Sequence, residues 1–122
     1  MNDRVLLVED APEISELIAT ILEEETSYHL IVAADGEAGL ELARSQSPDL
    51  ILLDLSLPLL SGWDLLPRLR AEGIQAPVIA ITAHAMVGDR ERALGLGCAA
   101  YLAKPFEIDD LLELLRRYAP EG

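Results

Sequence analysis

Five short runs rich in Val, Ile and Leu alternate along the chain with stretches of helical periodicity: Arg4 to Val8, His29 to Ala33, Leu50 to Leu53, Val78 to Ile81 and Ala99 to Ala103. Runs of this length and composition read as strands. Strands separated by helices imply a parallel sheet with right-handed crossovers and helices on both faces. After the first run, Pro12 suits a helix start, and Ile14, Leu17, Ile18, Ile21 and Leu22 repeat at the spacing of one helix face, with Glu13, Glu16, Glu23 and Glu24 outside. Further helices are expected over Gly36 to Gln46, Gly62 to Glu72, Ala85 to Leu96 and Glu107 to Tyr118. In the last of these, Asp109 and Asp110 open the helix and Arg116 and Arg117 close it, matching its macrodipole. The fourth contains Gly88 and Gly95, each lowering helix propensity by about 1 kcal/mol relative to Ala, so it is expected to be the element most able to move. The unbroken Leu50-Ile51-Leu52-Leu53 belongs at the centre of the sheet.

At 122 residues, with no linker, repeat or low-complexity tract, the chain reads as one domain, 1–122. An output must then come from a partner. Nine basic against 22 acidic side chains give a net charge of -13, which repels nucleic acid and anionic lipid and favours cations or basic protein surfaces. No apolar run approaches the length needed to span a bilayer and no leader is evident, so a cytoplasmic location is expected and a membrane partner is not. Cys98 is the single cysteine, which rules out an internal disulfide and reads as inert core.

In open parallel sheets ligands bind beyond the carboxyl ends of the strands. Here the polar groups collect at those ends: Glu9-Asp10 after the first run, Asp54 after the third, Thr82-Ala83 after the fourth and Lys104-Pro105 after the fifth. Carboxylates gathered in one cleft repel unless a cation shares them, and an oxygen-only donor set favours Mg²⁺. Glu9 and Asp10 are therefore assigned to metal binding. Asp54 is placed both to touch the metal and to attack phosphorus as a nucleophile. Phosphoryl transfer needs fixed positive charge and donors, which Lys104 and Thr82 supply beside the ion. Pro105 constrains the backbone after Lys104, and the sequence leaves the isomer of that bond open.

This set resembles the receiver domain of two-component response regulators, in a chemotaxis-type, single-domain form, and the resemblance covers essentially the whole chain. It implies a doubly wound, flavodoxin-like α/β fold, five parallel strands in the order 2-1-3-4-5 with five helices. It implies a phosphoacceptor at Asp54, Mg²⁺ held by Glu9, Asp10, Asp54 and the backbone carbonyl of Ser56, and assistance from Lys104 and Thr82. Leu57-Pro58 and Ser61-Gly62 look like the family's loop after the acceptor. The implied donor is a histidine kinase or histidine phosphotransfer protein. Thr82 and Tyr101 are the implied switch, and the surface of the fourth helix, fifth strand and fifth helix would carry the message to a protein target. Such a domain catalyses only its own phosphorylation and dephosphorylation and is not otherwise an enzyme. Glu9 replaces a more frequent aspartate, and Ser56 and His84 stand where the family tunes phosphoryl lifetime.

Plainer readings compete for single residues. Glu9-Asp10 suits an acidic N-terminal cap, Tyr101 a packed strand aromatic, Trp63 packing or a surface contact, and Arg90 with Arg92 a solvated helix face or partner contact. His29 and His84 read as uninvolved. Three other functions also compete. A haloacid-dehalogenase-type phosphohydrolase would want a second acid two residues after Asp54, where Ser56 stands. A flavin carrier would want a Gly/Ser/Thr-rich phosphate loop in place of Glu9-Asp10-Ala11-Pro12-Glu13. A receiver-like module that is never phosphorylated would be expected to lack part of the acid, Thr and Lys set. A stand-alone receiver is expected, with a piece of a hybrid kinase or larger regulator as the alternative.

Overall fold

The computed structural model describes residues 3–83 and 85–120. In chain order the elements are β1 (Arg4–Val8), α1 (Pro12–Glu25), β2 (His29–Ala33), α2 (Gly36–Gln46), β3 (Leu50–Asp54), α3 (Gly62–Ala71), β4 (Val78–Thr82), α4 (Asp89–Gly95), β5 (Ala100–Ala103) and α5 (Ile108–Tyr118). All neighbouring strand pairs are parallel, and the sheet order is β2-β1-β3-β4-β5, as the resemblance implied.

Strand alternation divides the core in two. Leu6, Val8, Ile51, Leu53, Val78 and Ala80 face α2, α3 and α4, where Leu40, Ala43, Leu65, Leu66, Leu69 and Ala93 close over them. The other parity, Val5, Leu7, Leu50, Leu52, Ile79 and Ile81, packs against Ile18, Ile21 and Leu22 of α1 and Leu111, Leu112 and Leu115 of α5. Every residue of β3 and β4 is buried, because both faces of a central parallel strand are covered.

One element departs from its sequence reading. The fourth helix was expected from Ala85, but α4 begins at Asp89. Gly88 has φ of +90°, a left-handed backbone that cannot propagate a right-handed helix, and Met86 and Val87 before it are exposed. Asp89 caps this turn by accepting from the Met86 N–H at 3.0 Å. Among the described residues no helix is long and apolar enough to cross a membrane.

The strand ladders run one residue past the strands toward the carboxyl edge. Glu9 N–H donates to the Ala33 carbonyl at 3.0 Å, Leu55 N–H to Ile81 at 2.9 Å and Lys104 N–H to Thr82 at 2.8 Å. The roots of the polar residues at that edge are thereby fixed by the sheet.

Candidate functional site

Among the described residues three polar or charged side chains are buried: Glu9, Asp54 and Thr82. All three sit at the carboxyl edge of the sheet, with Asp54 ending β3 and Thr82 ending β4. Glu9, Asp10 and Asp54 each present a carboxylate oxygen within 4.8 Å of the others', so the expected acidic cluster is assembled. Its oxygen-only donors, two buried and one exposed, fit a hard divalent cation that keeps part of its water shell.

Lys104 enters from the end of β5, after which its peptide bond to Pro105 is cis. Its ammonium donates to Glu9 Oε1 at 2.6 Å and stands 3.7 Å from Asp54 Oδ2. Burial pushes the Glu9 carboxyl above the usual carboxylate range; the Lys104 bond opposes that, and neighbouring Asp54 adds to it. Glu9 Oε2 also accepts the Ala11 N–H at 3.2 Å. That contact is local, and α1 is capped by Ala11 with no side-chain bond, so the acidic pair is not the helix cap that its position allowed.

The Asp54 carboxylate is held from its own loop: Ser56 N–H donates to Oδ1 at 2.9 Å, and the Ser56 hydroxyl lies 3.3 Å from Thr82 Oγ1. Behind Asp54, α3 comes as close as the backbone allows. A Cβ on Gly62 would sit 2.5 Å from the Asp54 carbonyl oxygen and 2.7 Å from Leu55 Cα, so a side chain at 62 is incompatible with this docking. The Ser61 side chain starts the helix there by accepting the Asp64 N–H.

Tyr101 lies half-buried against the α2–α3–α4 side of the core, remote in contact from the carboxylates. Its hydroxyl oxygen is buried and has no hydrogen-bond partner among the described residues. Burial first, and the Asp89 charge second, push its phenol above the ordinary range. The Arg92 guanidinium stacks 4.1 Å from the centroid of the Trp63 ring, joining α4 to α3, which the sequence did not disclose. Trp63 itself packs on the core, as its plainer reading had it. His29 is exposed and His84 lies outside the described residues. Cys98 is buried and its thiol is pushed up to about 11 by desolvation. A cavity of about 390 Å³ between the carboxyl ends of α2 and α3, lined by Arg44, Pro48, Glu72 and Ile74 among others, lies at the opposite edge of the sheet. It shares no residue with the carboxylate cluster.

The family model for the response regulator receiver domain matches residues 5–116. The transcriptional regulatory protein DltR of Streptococcus agalactiae is 41% identical over 113 residues, which are 93% of this chain and 50% of that protein. The chain thus spans about half the length of such curated relatives. The solved receiver domain of a Francisella response regulator is 33% identical, with a TM-score of 0.90 and 96% of each chain covered. The receiver domain of a Pseudomonas aeruginosa sensor histidine kinase, solved with a magnesium ion coordinated in its active site cleft, is 39% identical with a TM-score of 0.85, covering 96% of this chain and 97% of that one.

Proposed function

The chain belongs to the response regulator receiver domain family, and from that membership we propose that it takes a phosphoryl group onto Asp54 from a histidine kinase or histidine phosphotransfer protein and alters a partner-binding face in response. The observation that carries this reading is the setting of Asp54. Its carboxylate ends a buried central strand, is gathered with Glu9 and Asp10, and has the Lys104 ammonium 3.7 Å away.

In the transfer, an Asp54 carboxylate oxygen forms a bond to phosphorus as the phosphorus–nitrogen bond of a phosphohistidine breaks. The electron pair leaves with the imidazole nitrogen, which then takes up a proton. Glu9, Asp10, Asp54 and the Ser56 carbonyl would hold Mg²⁺, whose charge neutralises the phosphoryl oxygens when it is bound. Lys104 exchanges Glu9 for a phosphoryl oxygen, and the Ser56 N–H and the Thr82 hydroxyl are donors at the same edge. Thr82 and Tyr101 act as the switch, and α4, β5 and α5 form the face that a protein target reads. Apart from its own phosphorylation and dephosphorylation the domain catalyses nothing, and its net charge of -13 supports a protein rather than a nucleic-acid target. The output belongs to a partner or to a further domain, a larger regulator or hybrid kinase included.

Intact mass after incubation with acetyl phosphate tests the reading. A gain of one phosphoryl group that requires both Mg²⁺ and Asp54, and is absent from Asp54→Asn, supports it. A gain that persists in Asp54→Asn moves the acceptor elsewhere, and no gain from acetyl phosphate or from any phosphohistidine donor favours a binding module that is never phosphorylated.

A further inference from the structure

Trp63 is the single tryptophan of the chain, and it stands between two contacts. On one side is Gly62, whose N–H donates to the Leu55 carbonyl at 3.2 Å and on which a Cβ would lie 2.5 Å from the Asp54 carbonyl oxygen. The first turn of α3 therefore rests on the backbone of Asp54 and Leu55 with no slack. On the other side is Arg92 of α4, whose guanidinium stacks 4.1 Å from the centroid of the indole ring. α4 is otherwise lightly held: of its residues only Ala93 is buried, and Gly88 before it turns left-handed. α3 carries Pro67 in its interior, which has no N–H for the Trp63 carbonyl four residues back. The turn bearing Trp63 is thus tied to the rest of α3 by one bond fewer and is freer to lean with the loop beneath it.

We infer that Gly62, Trp63 and Arg92 form a connection from Asp54 to α4 that runs through α3 and shares no residue with Thr82 or Tyr101. The inference rests on the reading that Asp54 accepts the phosphoryl group and that α4 belongs to the face a partner reads. A shift in the backbone of Asp54 and Leu55 meets Gly62 at contact distance, and a close-packed junction passes displacement on rather than absorbing it. Trp63 is next in the chain and moves with Gly62. Arg92 follows the ring because a cation over an aromatic face is attracted to it, by about two- to fivefold in an equilibrium at an exposed site. Trp63 and Arg92 are positioning residues, which act on α4 and not on the transfer itself.

Two measurements on the whole chain test the connection. In urea unfolding, a cycle of Trp63→Leu, Arg92→Gln and the double variant is expected to show coupling of about two- to fivefold in the unfolding equilibrium. Additive effects overturn the inference whether or not the protein is ever phosphorylated. Amide hydrogen exchange over Asp89–Gly95, with and without acetyl phosphate and Mg²⁺, then reads α4 directly. Phosphorylation is expected to change exchange there in wild type, and Arg92→Gln to shrink that change by about twofold or more while intact mass shows unaltered phosphoryl uptake. In a Trp63→Leu background Arg92→Gln should have no further effect. An α4 that does not respond in wild type, an equal response in Arg92→Gln, or an equal effect of Arg92→Gln with and without the Trp63 ring overturns the inference. Failure of the wild type to take up phosphoryl groups from any donor removes the underlying reading, and the inference with it, even where the unfolding cycle shows the stack to be present.

Discussion

The Lys104 ammonium hydrogen-bonds Glu9, at 2.6 Å, and stands at the longer ion-pair distance of 3.7 Å from Asp54. The ammonium is thus the cation in direct contact with Glu9. A divalent ion that takes Glu9 Oε1 as a ligand competes with the ammonium for that oxygen. Lys104→Ala should therefore tighten Mg²⁺ binding while slowing phosphoryl uptake. Calorimetric titration alongside an uptake assay checks both signs, and weaker Mg²⁺ binding in the variant would contradict the competition.

Glu9→Gln should weaken Mg²⁺ binding by about tenfold or more, since even an outer partner of a metal ligand is worth that much. A pH effect accompanies it. The Glu9 carboxyl is raised above its ordinary value mainly by burial, so the folded state binds that proton more tightly than the unfolded chain. Its contribution to stability is full below the unfolded pKa and is lost as pH rises through the folded one. The stability of metal-free wild type relative to Glu9→Gln should consequently fall over that window. Mg²⁺ affinity should fall when pH drops through the same window. Urea unfolding and metal titration between pH 4 and 8, a span on the order of 4 units, read both trends.

Two glycines should respond to alanine with opposite signs. At Gly62 the added carbon meets backbone at 2.5 and 2.7 Å, and Gly62→Ala should cost about 1–3 kcal/mol. At Gly95, inside α4, it meets nothing within 4 Å, and Gly95→Ala should stabilise by about 0.5–1 kcal/mol. Melting temperatures of the two variants give the comparison.

Tyr101→Phe removes a buried hydroxyl that has no hydrogen-bond partner among the described residues. Leaving such a group unpaired costs about 1–3 kcal/mol. The variant should be as stable as wild type or more so in urea, and a clear loss would mean that the hydroxyl is bonded in solution.

Cys98, 6% exposed and with its thiol at about 11, should resist iodoacetamide at pH 8 in the native state and react when urea unfolds the chain. Ready labelling of the folded protein would show that α4 and β5 open around it.

Most of the fold was legible because the sheet is parallel and covered on both sides, so that Leu50 to Leu53 could read only as a buried strand. The candidate site was legible for a related reason: residues at strand ends are brought to one edge by topology alone, which places Glu9, Asp10, Asp54, Thr82 and Lys104 together before any side chain is considered. Pairings within that edge were not. Nothing in a separation of 95 residues tells which carboxylate Lys104 takes, nor that Ser56 meets Thr82, because those choices depend on ångström-scale loop geometry. α4 starts at Asp89 and not at Ala85 because Gly88 turns left-handed, and the glycine itself was the available signal. The stacking of Arg92 on Trp63 depends on how α4 sits beside α3, which no periodicity encodes.

β3 and β4 are buried along their whole length, while β5 is half-buried to exposed and α4 beside it spans only seven residues. Burial is therefore graded across the sheet, complete along β3 and β4 and lower on the two edge strands β2 and β5. A close-packed interior transmits strain with little deformation. Strain set up at the covered centre of this sheet should therefore be relieved first at its partly uncovered margins, where fewer neighbours hold the backbone.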